Sequence, residues 1–249
     1  MNESSTAPGL RESLPFAPKR EQYFRWRGNE ISRVEGFTDA VFAFAVTLLV
    51  VALEVPHTFE GLLDVLRGFP AFIICFAILM TFWTAHFRYH RRYGLEDWVS
   101  RVLTMAILVL VLFFVYPLKY LFTMLTVQVF GLHMHEAPGL ESAMQNHLLY
   151  TIYGLGFASV WGLYALLYWH ALRRRDELQL NEVEILLTRA DLAANFIYVG
   201  VCLLSVTLAW TVEDPAIPGL VYWLLAPLQA FTGRHFGKKA EALAAIKPE

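Results

Sequence analysis

Three ionisable residues stand where a bilayer would make them costly. Arg33 and Asp39 lie six residues apart at the mouth of an apolar run that continues to Leu53, and His86 lies towards the end of a second run, in Phe82-Trp83-Thr84-Ala85-His86. A charge near hydrocarbon is unfavourable by several kcal/mol, so such a group usually has a partner and a task. A carboxylate and an imidazole at one depth can exchange protons, and the same groups beside a guanidinium can instead staple two helices in register. The residue types alone leave both roles open.

The elements that carry these groups follow from composition. Apolar residues make up 57% of the 249-residue chain and charged residues 17%, and mean hydropathy is +0.45. A soluble domain could not cover so much apolar surface, so the chain reads as an all-α integral membrane protein. A net charge of -2 points to no acidic or basic partner, and nucleic acid is excluded as a ligand. A span takes about 20 helical residues, and segments of that kind occur six times, at 34–54, 68–90, 98–124, 146–171, 187–211 and 216–234. The first is short unless Asp39 lies within or at the edge of the membrane. Residues 1–32 are polar, contain Pro8, Pro15 and Pro18, and lack the apolar core of a signal peptide, so they read as a flexible cytosolic arm. Residues 33–236 form the membrane domain and 237–249 a cytosolic tail.

Arg and Lys set the orientation. They cluster in the arm, between the second and third segments (Arg88, Arg91, Arg92, Arg101), between the fourth and fifth (Arg173, Arg174, Arg175, Arg189) and in the tail (Arg234, Lys238, Lys239, Lys247), while the other side holds only Arg67 and Lys119. Both termini are therefore expected in the cytoplasm. Cys75 and Cys202 sit within apolar runs and read as reduced, buried thiols. The loop near 127–146, with His133, His135 and Glu136, has room for a short interfacial helix or a loose metal site. His86 and His90 share a helix face, but Arg88, Arg91 and Arg92 beside them favour a basic collar for anionic lipid over a divalent metal. Asp191 and Asn195 are one turn apart and can pair locally or meet Arg101 or His86.

On the first segment Phe44, Thr47, Leu48 and Val51 fall at i, i+3, i+4 and i+7 and form one stripe. Asp39 lies about 140° round the helix from Phe44 at 100° per residue, so it meets a different neighbour. Neither the broken half-helices of a secondary transporter nor a convergent nucleophile and base is visible, so the chain does not read as an enzyme.

The run Arg33-x-x-x-Phe37-Thr38-Asp39, followed by Ala-Val-Phe-Ala-Phe-Ala-Val-Thr-Leu-Leu-Val and a Glu-x-Pro exit, resembles the signature first helix of the transmembrane protein 175 family of potassium channels. The Phe82-Trp83-x-x-His86 end of the second segment is similar to that family too. The resemblance implies a six-helix subunit of the prokaryotic kind in a cell membrane, four copies of which surround a central pore lined by their first helices. It implies a moderately selective potassium leak channel with no cofactor beyond the permeant ion, and a homo-oligomer in the bilayer as its partner set. By position, Phe44, Thr47, Leu48 and Val51 take the constriction and pore-lining places. Arg33, Phe37, Thr38, Asp39, Trp83 and His86 take the places of the cluster that holds the pore helix. Thr38 stands for the family's usual serine and Phe87 for a second histidine found in many relatives. Phe44 replaces isoleucine or leucine, and four phenyl rings at one level narrow a pore or offer ring faces to a cation. The rival reading is a proton-coupled transporter or proton-permeable channel that uses Asp39 and His86.

Overall fold

The computed structural model describes residues 23–28, 30–51, 56–131 and 142–246. Among them the regular structure is wholly helical: α1 (Arg33–Val51), α2 (Phe59–Arg67), α3 (Phe69–Tyr93), α4 (Trp98–Phe130), α5 (Ala143–Arg173), α6 (Glu182–Thr211), α7 (Ile217–Leu220), a 3-10 turn (Val221–Leu224) and α8 (Leu225–Ile246). Five of these, α1, α3, α4, α5 and α6, are long and apolar enough to cross a membrane.

Local chemistry sets the boundaries. Asp97, Ser142 and Asn181 cap α4, α5 and α6 by accepting from the backbone N–H three residues on, and Glu184 returns the bond to Asn181 in a capping box. Ser32 does the same for the N–H of Glu35 at the head of α1. Gly94 closes α3 with φ of 58°, a conformation that favours glycine, and its N–H satisfies the carbonyl of His90. Pro117 lies inside α4, where Tyr153 from α5 donates to its carbonyl.

The first five expected segments match long helices to within a few residues at most ends, but the sixth differs. The stretch expected to span at 216–234 is divided into α7, the 3-10 turn and the start of α8, the helical pitch changing at Val221 and again at Leu225. Beyond residue 232 it turns polar through Arg234, Lys238 and Lys239, and α8 is not among the helices apolar enough to span. Helix continues through the expected tail to Ile246, with Ala240 fully buried. The short helix α2 has an apolar face (Phe59, Leu62, Leu66) opposite Glu60 and Asp64 and was not anticipated. The interfacial helix and His133, His135 and Glu136 of the 127–146 loop, like Leu53 and Glu54, lie outside the described residues.

The main core gathers Phe42, Ala45 and Leu49 of α1 with Cys75 and Leu79 of α3, Ile107 and Val111 of α4, and Tyr164 and Leu167 of α5, and a smaller cluster holds Met124 of α4 with Leu149 and Tyr153 of α5. Lipid is as apolar as these side chains, so close packing holds the helices together more than the hydrophobic effect does. Gly156 allows that contact: a Cβ there would lie 1.9 Å from the Phe114 ring of α4. Both cysteines are free and buried.

Candidate functional site

Helix α1 has two faces. Glu35, Thr38, Phe42, Ala45 and Leu49 are buried against α3 and α4, which at 100° per residue is one continuous arc. The opposite arc is open: Phe44 is 55% and Val51 66% exposed, Phe37, Ala40, Ala43 and Thr47 are exposed, and Leu48 is half-buried at the edge. The four residues of the expected constriction stripe thus lie on or at the margin of the open face. Within that face two narrower stripes separate. Gly36, Ala40, Ala43 and Thr47 form a line of small residues at i, i+4, i+7 and i+11, and the large residues Phe37, Phe44, Leu48 and Val51 run beside it. Thr47 Oγ1 donates to the carbonyl of Ala43 at 3.0 Å and keeps its lone pairs for an approaching cation. Thr38 makes the same bond to Val34 on the buried side.

The expected ionic cluster is arranged differently from the Arg33, Asp39 and His86 grouping. Asp39 accepts from Trp83 Nε1 at 2.7 Å, and the Trp83 ring stacks on Phe87. His86 is buried, with Nε2 3.4 Å from Thr104 Oγ1 of α4 and its ring 4.2 Å from that of His90. Arg33 is exposed, and among the described residues no ion pair joins it to Asp39. An indole N–H binds a carboxylate without adding a second charge to desolvate, which suits a group at the edge of hydrocarbon.

The ion pairs lie one layer further toward the charged end of the bundle, and sequence reasoning missed them. Arg91 on α3 meets Glu35 on α1 at 3.2 Å. Arg92 meets Asp191 on α6, where the sequence suggested Arg101 or His86 as the carboxylate's partner, and Asn195 donates to the Asp191 carbonyl. Arg91 and Arg92 are both buried, so they are internal cations and not part of a surface collar. The exposed cations at that end include Arg25, Arg33, Arg101, Arg173, Arg175, Arg189, Arg234, Lys238 and Lys239.

Part of the expected flexible arm closes this layer. Phe24 is 5% exposed, wedged edge-on against Tyr93 and 4.8 Å beneath the Arg92 guanidinium. Arg27 grips both oxygens of Glu184 at 2.9 and 2.7 Å. The N–H groups of Arg27 and Gly28 donate to the carbonyl of Arg91. Residues 23–28 therefore strap the end of α3 to the start of α6. The available signal was Phe24 and Arg27 as an aromatic and a cation, with Glu182 and Glu184 in the acidic first turn of α6, and no spacing rule links groups so far apart in sequence.

On the same side Asp97 accepts from His170 of α5 at 2.6 Å and from Ser100 N. Burial alone would raise its carboxyl, but the bonds from Ser100 and His170 outweigh it and hold Asp97 below the usual carboxylate range.

The comparisons agree with this architecture. Residues 33–117 match the family model of the endosomal/lysosomal potassium channel TMEM175. The chain is 35% identical over 232 residues to a potassium channel of Marivirga tractuosa, covering 88% of this chain and 93% of the relative. It superposes with a TM-score of 0.77 and 33% identity on a variant of the potassium channel MtTMEM175 solved with a Nanobody-MBP fusion protein, covering 86% of this chain and 97% of that one. A lysosomal potassium-selective channel TMEM175 homologue from Chamaesiphon minutus shares the fold at a TM-score of 0.53 and 22% identity, covering 84% and 96%.

Proposed function

We propose, for a chain that belongs to the TMEM175 family of potassium channels, that it is one subunit of a homotetrameric potassium-permeable leak channel whose path is lined by the open face of α1. The observation that carries this reading is the division of α1 into a packed arc and an open arc. A helix at the heart of its family's signature leaves an apolar stripe with one hydroxyl uncovered within its own subunit. Four such faces around an axis give a narrow, poorly wetted passage with a ring of Thr47 hydroxyls beside Phe44.

Such a ring discriminates by dehydration. An ion must shed part of its water to pass an apolar constriction, potassium sheds it more readily than sodium, and Thr47 oxygens replace a fraction of the shell. Selectivity is then moderate. The half-buried Trp83–Asp39 bond and the buried Arg91–Glu35 pair hold α1 against α3 and leave its open face beyond Arg33 free of charge. In this reading six segments cross a prokaryotic cell membrane, the sixth being the composite of α7, the 3-10 turn and the first half of α8, with both termini cytoplasmic. The exposed Arg and Lys residues gathered at one end of the bundle support that orientation and suit anionic lipid headgroups.

Potassium flux into liposomes carrying the purified protein tests the reading. Flux down the potassium gradient without proton coupling is expected, with Phe44→Ala raising leak and Thr47→Ala lowering the preference for potassium over sodium. Strict coupling to a proton gradient would point instead to Asp39 and the buried His86–His90 pair. Unchanged currents in both variants would place the path elsewhere than on α1.

A further inference from the structure

A cavity of about 1130 Å³ lies away from α1, among α3, α4, α5, α6 and the turn that leads into α8. Its wall along α6 runs from Tyr198 to the C-cap Val212, 14 helical steps that at 1.5 Å each extend about 21 Å. Its floor is aromatic: Trp161 stacks on Tyr198 at 4.2 Å and lies edge-on to Phe82 at 5.3 Å. Its mouth, at the end of the bundle away from the arginines, is polar, with Glu213 and Asp214 both exposed. No Lys or Arg lines it among the described residues. One turn inside α5, His147 also lines it; its ring stacks on Trp210, and its Nδ1 is enclosed with no hydrogen-bond partner.

A void of this size does not stay empty beside lipid. Apolar cavities that remain dry are several-fold smaller, about 150 Å³, and the length here exceeds the roughly 15 Å of a single leaflet's hydrocarbon. We propose that the cavity binds a single-chain amphiphile with a protonated primary amine head. Its chain lies along Leu121 and Met124 down to the Trp161 floor, and its ammonium sits at the mouth. The carboxylates of Glu213 and Asp214 repel an anionic head and attract a cationic one, and the described lining offers no Lys or Arg to receive an acid. The site stands independently of the conduction path, although its floor residue Phe82 adjoins Trp83, which holds Asp39 of α1.

The test uses full-length protein in micelles of a neutral detergent and two probes, hexadecylamine brominated near the chain end and hexadecanoic acid brominated at the same carbons. Bromine quenches tryptophan at short range, and the signal from the floor is the quenching lost in Trp161→Phe. The amine is expected to quench Trp161 at several-fold lower concentration than the acid. Glu213→Lys, at an exposed position that leaves the fold intact, should weaken the amine and strengthen the acid, with Glu213→Gln between. Absence of Trp161-dependent quenching, equal quenching by both probes, or indifference to Glu213→Lys would each overturn the proposal.

Discussion

Arg92 and Asp191 sit at the centre of the charged layer, Arg92 fully buried and Asp191 7% exposed. A buried pair adds little net stability over an apolar pair of the same shape, whereas removing one partner leaves a charge that the low-dielectric interior cannot solvate. Arg92→Met should therefore cost about 3–5 kcal/mol, read as a lower unfolding temperature in detergent. Arg92→Met with Asp191→Leu should recover most of that loss, and a double variant as unstable as the single would show that the pair is not the source. Asp191 was recognisable in the sequence as an ionisable residue within an apolar run, but not its partner, because Arg91, Arg92 and Arg101 all lie at the same depth. Helical phase decides among them: Arg92 points inward toward α6, while Arg101 points outward.

The strap and the start of α4 hold the ends of several helices together. Phe24 and Arg27 join a segment before α1 to α3 and α6, so weakening either should free the strap without unfolding the bundle. In Phe24→Ala, trypsin should cleave at Arg25 and Arg27 several-fold faster than in the parent while the helical circular dichroism stays unchanged; equal cleavage would mean the strap is already open in solution. Asp97 ties α4 to α5 through His170. Its pKa is depressed in the folded protein, so its stabilisation is present above the unfolded value, near 3.9 for aspartate, and is lost as pH falls through the lower folded value. Asp97→Asn should thus lower the unfolding temperature at pH 7 and have progressively less effect below pH about 4; an equal effect at both pH values would remove the linkage. The long helices were legible because an apolar run of 20 or more residues needs no tertiary context. The strap was not, since its polar, proline-containing neighbourhood resembles a free tail until Arg91, Arg92 and Glu184 are in place. α2 is nine residues long, too short for periodicity to stand out, and the sixth segment reads as continuous because apolar character carries through Val221–Leu224, where the backbone changes pitch.

At the scale of the whole molecule, the two stripes on the open face of α1 suggest how the subunits of the proposed tetramer meet. In lipid an exposed apolar face has no hydrophobic incentive to associate, so helices come together where small side chains let their backbones approach. Gly36, Ala40 and Ala43 make such a line with spacings of 4 and 3 residues, close to the 3.5-residue seam of supercoiled helices, and Thr47, which continues it but lies only about 60° round the helix from Phe44 at 100° per residue, is left to the passage. The large stripe of Phe37, Phe44, Leu48 and Val51 lies about 80° round the helix at 100° per residue, where it can face a central axis while the small line meets the next α1. Ala43 is exposed within its own subunit, so Ala43→Leu has room in the monomer and a clash only between copies. The variant should retain its helical content and thermal unfolding as a subunit, yet shift the mass of detergent-solubilised protein from four chains toward fewer. Ala43→Ser, which keeps the small volume, should remain assembled. If Ala43→Leu stayed fully tetrameric, the small line would not be the seam, and the first helices would have to meet through Phe37 and Phe44, closing the passage proposed for the ion.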